Sequence, residues 1–124
     1  VDAGFNDLAR PVMYGAYHHI SVTARSGDAA EREQADVIVG GPLCESGDIF
    51  TQREGGYVDS RRLPMTRVGD FVVIENAGAY GFVMASNYNS KTRAAEVLIE
   101  SGEAKLIRER ESFEDLVRGE VILG

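Results

Sequence analysis

Glycines divide this chain into short apolar runs, and that spacing leaves little room for long helices. The sequence holds 14 glycines among 124 residues, most of them at turns between short apolar stretches. The clearest stretch, FVVIE at 71–75, is rich in β-branched and aromatic residues and follows the turn pair Gly69-Asp70. The pattern therefore predicts a mainly β chain.

Further elements are predicted from the same signals. Strands are expected at 37–41, 96–99 and 104–108, the last two joined by a hairpin turn at 101–103. Short helices are expected within 6–14, with Pro11 in the first turn, at 79–85, and after the N-cap residue Ser112, where Gly119 ends the helix. Residues 1–124 should form one domain, a small β-barrel or two packed sheets with a few short helices.

Charge and cysteine content exclude several classes of function. Thirteen basic and 20 acidic side chains give a formal charge of −7, and an acidic surface disfavours nucleic-acid binding. No apolar run is long enough to span a membrane. The single Cys44 cannot form an internal disulfide or a multi-cysteine zinc site, and it fits a reducing cytoplasm.

The segment 40–48, GGPLCESGD, is the most unusual in the chain. Its glycines and proline predict a shaped loop after a strand, and such loops often carry binding or catalytic groups. Cys44, Glu45 and Asp48 are the candidates for chemistry there. The alternatives are that Cys44 is a small buried apolar residue and that the two carboxylates are solvated loop charges.

Two further groups of residues could bind an anion or a carboxylate. Arg10 and Tyr14 are four residues apart, so on a helix they share one face, and a guanidinium can bind a carboxylate through two hydrogen bonds. Tyr80 lies between Gly78 and Gly81, which allow close approach of a ligand to the backbone. The alternatives are an ordinary surface arginine, a half-buried tyrosine and a turn tyrosine that covers the core.

The neighbouring histidines His18 and His19 point away from each other on any regular element, so a shared metal ion is disfavoured. We expect one to be packed or hydrogen-bonded and the other to be solvated. The sequence contains neither a P-loop motif nor a G-x-G-x-x-G motif.

Several blocks together resemble the diaminopimelate decarboxylases, within the pyridoxal-phosphate-dependent ornithine, diaminopimelate and arginine decarboxylase family. The resemblance runs from Val1 to about Arg110, and its blocks occur in the family's order. They are VDAGFNDL at 1–8, RP at 10–11, YGAYHHI at 14–20, GPLCESGD at 41–48, GAYG at 78–81 and SNYNS at 86–90.

This resemblance implies an alanine-racemase-like enzyme of two domains, of which this chain is the C-terminal β domain. Such enzymes convert meso-2,6-diaminopimelate to L-lysine and CO2 in lysine biosynthesis, and they act as homodimers whose active sites use both subunits. The lysine that forms the Schiff base with pyridoxal 5'-phosphate belongs to an N-terminal α/β barrel, and neither Lys91 nor Lys105 matches its motif. The isolated domain should therefore be inactive.

The resemblance also implies roles for single residues. Cys44 matches the residue that reaches the partner subunit's active site and returns a proton after CO2 leaves. Glu45 matches a residue that binds the distal amino group of the substrate, and Arg10 and Tyr14 match residues that bind its distal carboxylate. Tyr80 matches a residue that contacts the cofactor, at its phosphate, and lies near the substrate.

Three other functions remain open from the sequence. One is decarboxylation of another basic amino acid on pyridoxal phosphate, and one is a non-catalytic dimerisation or regulatory domain. The third is a cysteine hydrolase that pairs Cys44 with His18 or His19.

Overall fold

A computed structural model describes all residues, 1–124, and confirms a mainly β chain with few short helices. The helices are α1 (Arg10–Tyr14) and α2 (Phe113–Val117), and neither is long and apolar enough to cross a membrane. The strands are β1 (Ile20–Thr23), β2 (Gln34–Val37), β3 (Gln52–Arg53), β4 (Tyr57–Val58), β5 (Arg61–Pro64), β6 (Phe71–Ile74), β7 (Glu96–Glu100) and β8 (Glu103–Arg108). Single 3-10 turns lie at Glu54–Gly56, Phe82–Met84 and Tyr88–Ser90.

The strands pair two by two, in the antiparallel sense. The pairs are β1 with β6, β2 with β5, β3 with β4, and β7 with β8. In the first pair Ile20 lies opposite Ile74, and in the second Ala35 lies opposite Leu63. The strands form four separate two-stranded sheets, so no sheet closes into a barrel within this chain.

One small apolar core holds the strand pairs together. Its buried members come from the start of the chain, from both main strand pairs and from the segments that precede and follow the 40–48 loop: Leu8, Ile20, Val39, Phe50 and Leu63. Val22, Val37, Val72, Ile74 and Ala77 pack against it. The 40–48 loop therefore projects from a fixed base, because both of its ends enter the core.

Three predicted elements have different bounds in the structure. The strand predicted at 37–41 lies earlier in the chain, at Gln34–Val37, and shares only Val37 with the prediction. Beyond Val37, only Gly40 forms a single bridge, with Ile49. The helix predicted at 79–85 is only the 3-10 turn Phe82–Met84, because the preceding residues turn through left-handed backbone at Tyr80. The last helix ends at Val117, one residue before the predicted Arg118.

Other predictions are confirmed. Pro11 lies in the first turn of α1, where its missing N–H leaves no hydrogen bond unmade. The β7–β8 hairpin turns at Ser101-Gly102, both with positive φ. Ser112 is the N-cap of α2, and the Asp115 carboxylate accepts hydrogen bonds from its backbone N–H at 2.8 Å and from its hydroxyl at 3.0 Å.

The β7–β8 hairpin carries large apolar side chains on both of its faces. Val97, Leu98, Ile99, Leu106 and Ile107 are all exposed. Only 14 of the 124 residues in the chain are buried, so this chain leaves much apolar surface uncovered.

Candidate functional site

Arg10 lies between two tyrosine rings at the surface. Helix α1 places Arg10 at its first residue and Tyr14 at its last, and the guanidinium carbon lies 5.6 Å from the Tyr14 ring centroid and 5.4 Å from that of Tyr80. Both distances are those of a cation–π contact. Arg10 takes part in none of the ion pairs of the chain, so its N–H donors are available to an anion.

Tyr80 is held in a backbone conformation that few tyrosines adopt. Its φ is +59°, in the left-handed region where bulky residues are rare and where strain often accompanies function. The next residue must be glycine, because a Cβ at Gly81 would collide with the carbonyl oxygen of Ala77. Tyr80 is 61% exposed, so the turn leaves this residue open to solvent next to Arg10.

The loop that carries the thiol is built around a buried carboxylate. Asp48 accepts hydrogen bonds from the backbone N–H groups of Phe5, at 2.8 Å, and Leu43, at 2.9 Å. Gly41 approaches the same carboxylate so closely that a Cβ there would collide with it. Asp48 is only 4% exposed, so the interpretation of Asp48 as a solvated charge was wrong. The carboxylate satisfies backbone donors that the tight loop would otherwise leave without partners.

Cys44 and Glu45 lie on the outer side of this loop. Cys44 is a free, exposed cysteine, so the alternative of a small buried apolar residue was wrong. The Glu45 carboxylate accepts hydrogen bonds from the Gly47 backbone N–H at 3.2 Å and from the Ser46 hydroxyl at 3.3 Å, both through one oxygen. The other oxygen remains able to bind a cation such as an ammonium group.

A second turn, Tyr88–Ser90, contacts the Cys44 thiol. The Asn89 side-chain amide donates a hydrogen bond to Cys44 Sγ at 3.0 Å. Phe5 brings the turn and the loop together. Its backbone N–H donates a hydrogen bond to Asp48 of the loop, and its ring lies 4.8 Å from that of Tyr88 in the turn, centroid to centroid. Asn89 is a contact of the candidate site that the sequence analysis did not single out.

An ion pair fixes this second turn. The Glu111 carboxylate accepts hydrogen bonds from the Arg93 guanidinium, from the Arg93 backbone N–H at 2.8 Å and from the Asn87 side-chain amide at 2.6 Å. The Arg93 guanidinium, then the Arg93 backbone N–H, and then the Asn87 amide lower the pKa of Glu111 to about 2. The carboxylate is thus charged throughout the neutral range.

The depressed pKa of Glu111 predicts a loss of stability in acid. Its ordinary value is 4.5, so the pair with Arg93 stabilises the fold above that pH and ceases to do so as the pH falls toward about 2. Glu111→Gln should lower the thermal unfolding midpoint by a few degrees at neutral pH and flatten its dependence on pH in that acid window. Thermal unfolding followed by circular dichroism between neutral pH and the acid limit measures this. Glu109→Gln is the matched control, because Glu109 makes no ion pair, and an equal change in both variants would contradict the prediction.

The predicted site residues therefore fall into two groups. Arg10, Tyr14 and Tyr80 lie together, whereas Cys44 and Glu45 share the other loop, and no hydrogen bond or ion pair joins the two groups.

The two histidines differ in their surroundings as the sequence predicted, with one hydrogen-bonded and the other solvated. His18 Nδ1 lies 3.0 Å from the carbonyl oxygen of Glu75, and the His19 side chain is 61% exposed. No cluster of side chains in the chain could hold a metal ion.

Comparison with known proteins identifies the family to which this chain belongs. Residues 1–78 match the family model described as the C-terminal sheet domain of pyridoxal-dependent decarboxylases, and the chain belongs to this family. Its relatives include the diaminopimelate decarboxylase of Escherichia coli K12, which is 53% identical over 98% of this chain and 29% of the relative.

Solved structures agree with this membership. A crystal structure of a diaminopimelate decarboxylase matches with a TM-score of 0.92 and 52% identity, over 95% of this chain and 28% of that one. The enzyme of M. jannaschii in complex with L-lysine matches with a TM-score of 0.81 and 39% identity, over 98% of this chain and 25% of that one. The chain thus spans less than a third of the length of the relatives it matches.

Proposed function

We propose that this chain is the C-terminal domain of a diaminopimelate decarboxylase, which converts meso-diaminopimelate to L-lysine and CO2. The observation that carries the proposal is the free guanidinium of Arg10, held between Tyr14 and Tyr80 and without an ion-pair partner. Support comes also from relatives that bear that name at about half identity over nearly the whole chain. A solved relative holds L-lysine, which is the product of this reaction.

We propose that this domain recognises the charged groups at the end of the substrate that lies far from the cofactor. Arg10 can bind the distal carboxylate through two parallel hydrogen bonds, and the Tyr14 hydroxyl can add a third. Glu45 shares the loop of Cys44, which no contact joins to Arg10, so it is proposed to bind the distal ammonium group of the substrate held by a second subunit. It would do so through the oxygen that its own loop leaves free. A substrate without these groups would leave these polar side chains unpaired once the assembled site has excluded water, which disfavours its binding.

Pyridoxal phosphate, when bound, supplies the electron sink that makes loss of CO2 possible. Tyr80 fits a role at its phosphate, because the strained turn presents an exposed hydroxyl close to a cationic side chain. The Schiff-base lysine is proposed to come from the barrel domain outside this chain. Lys105 is bound to Glu100 at 2.6 Å on the exposed hairpin, which disfavours it for that role.

Cys44 is proposed to return the proton to the substrate carbon that has lost CO2. A thiol is a suitable general acid near neutral pH, and this one is exposed on a loop with a rigid base. Because no contact joins it to Arg10 within the chain, we infer that it serves the active site of a second subunit in a homodimer. The single free thiol also supports action in the cytoplasm.

The test joins this domain to a pyridoxal-phosphate-binding barrel, most simply by replacing the matching segment of the Escherichia coli K12 relative. The chimera should bind cofactor, form dimers and release CO2 from meso-diaminopimelate. A folded, cofactor-loaded dimer without turnover would refute the proposal. Turnover of ornithine or arginine instead would assign the domain to another decarboxylase of the family.

A further inference from the structure

We propose that Asn89 is a positioning residue that holds the Cys44 thiol and stabilises the negative charge that forms on its sulfur. The inference rests on the proposed function of Cys44 and adds a residue to it. Its basis is the hydrogen bond from the Asn89 amide to Cys44 Sγ, at 3.0 Å, across 45 positions of sequence. This is the only side-chain hydrogen bond that either residue makes.

The backbone of the turn is shaped to deliver this amide. Asn89 has φ of +55° and Ser90 has φ of +56°, so two successive residues adopt the left-handed region. Asparagine tolerates that region better than most residues with a side chain. A single 3-10 turn with this backbone points the amide away from its own chain and toward the loop of Cys44.

The turn is also fixed at several points, which limits the motion of the amide. The Ser86 backbone N–H donates to the Asn6 carbonyl oxygen at 2.9 Å, and the Asn87 amide donates to the Lys91 carbonyl oxygen at 3.1 Å and to Glu111. These contacts fix the backbone from which the Asn89 side chain projects, so its amide already lies beside the sulfur when charge develops there, which favours electrostatic stabilisation.

The proton balance shows why the donor matters. When Cys44 acts, its S–H bond breaks and the proton forms a C–H bond with the electron pair that CO2 left on the substrate carbon. The S–H bonding electrons remain on sulfur, which becomes a thiolate and later takes a proton from water. A hydrogen bond from Asn89 to sulfur strengthens as this charge develops, so it stabilises the transition state more than the resting thiol. It also occupies one side of the sulfur, which restricts the directions open to the S–H bond.

The decisive variants are Asn89→Gly and Asn89→Asp in the holoenzyme. Glycine removes the amide and accepts the left-handed backbone without strain, whereas aspartate keeps the size and replaces the donor by a negative charge. Asn89→Gly should lower kcat about 10-fold to 100-fold with little change in KM, as expected for loss of a hydrogen bond to a charged group. Asn89→Asp should lower kcat further. Ser90→Gly is the matched control, because it relaxes the neighbouring left-handed residue without touching the thiol, and it should keep wild-type kcat.

Two measurements distinguish a positioning role of Asn89 from a role in folding alone. The solvent deuterium isotope effect on kcat should rise in Asn89→Gly, because proton return then limits turnover. Alkylation of Cys44 by iodoacetamide, followed by mass spectrometry at a fixed pH, should become several-fold slower in Asn89→Gly and stay at the wild-type rate in Ser90→Gly. Wild-type alkylation and kcat in Asn89→Gly, or equal losses in Ser90→Gly, would overturn the proposal. Alkylation needs no turnover, so slow alkylation would support the Asn89 contact even if Cys44→Ala left decarboxylation intact and thereby refuted the proton-donor role.

Discussion

Replacement of Cys44 by alanine is expected to lower kcat for meso-diaminopimelate about 10²-fold to 10⁴-fold in the holoenzyme, the usual contribution of a positioned general acid. The methyl group of alanine has no proton to give, and water would have to reach the substrate carbon in its place. Cofactor absorbance and KM should change little, because the thiol is proposed to act after substrate has bound.

The measurement is steady-state release of CO2, together with the absorbance spectrum of the bound cofactor. Cys44→Ser serves as a second variant of nearly the same size, and its weaker acid should leave kcat between those of wild type and Cys44→Ala. A wild-type rate in Cys44→Ala would remove Cys44 from the reaction and would return the loop to a purely structural role.

Arg10→Ala is expected to lower kcat/KM for meso-diaminopimelate about 10²-fold to 10³-fold, because truncation removes one partner of a charge pair that closes on the bound substrate. Arg10→Lys should recover only part of this loss, since an ammonium group cannot form the two parallel hydrogen bonds of a guanidinium. Competition assays with L-lysine, which keeps the distal carboxylate, should show a matching loss of affinity in Arg10→Ala. The diamine 1,5-diaminopentane, which lacks that carboxylate, should compete equally with both proteins.

The matched control is Arg110→Ala, because Arg110 is exposed and forms no ion pair. Thermal unfolding of both variants checks that loss of the two tyrosine contacts of Arg10 has not unfolded the domain. Equal kinetics in Arg10→Ala and Arg110→Ala would exclude Arg10 from substrate recognition.

The elements that the sequence predicted well are those determined by neighbouring residues. The β7–β8 hairpin follows from two apolar runs around Ser101-Gly102, and α2 follows from the Ser112 cap. By contrast, β5 has the sequence RRLP. Its two arginines and its proline are not typical of a strand, so the sequence gives no signal for one there. It forms because Leu63 is buried in the core opposite Ala35, and a contact between residues so distant in sequence leaves no local pattern.

The same distinction applies to the candidate site. The spacing of Arg10 and Tyr14 placed them on one face of a helix, and the structure puts both tyrosine rings beside that guanidinium. The burial of Asp48 and the contact of Asn89 with Cys44 depend on the turn at the start of the chain, which binds the loop through Phe5 and packs on Tyr88. Neither could be predicted without the fold, because each joins residues more than 40 positions apart.

The apolar ribbon formed by β7 and β8 has consequences for handling the protein. A pair of strands seldom persists alone in water, and both outer edges of this one offer unpaired backbone groups. When the domain is prepared apart from its neighbours, ribbons from different molecules should add to one another edge to edge, and the preparation should precipitate as its concentration rises. Charged residues substituted at Ile99 and Ile107, which are both exposed, offer a direct way to keep it in solution.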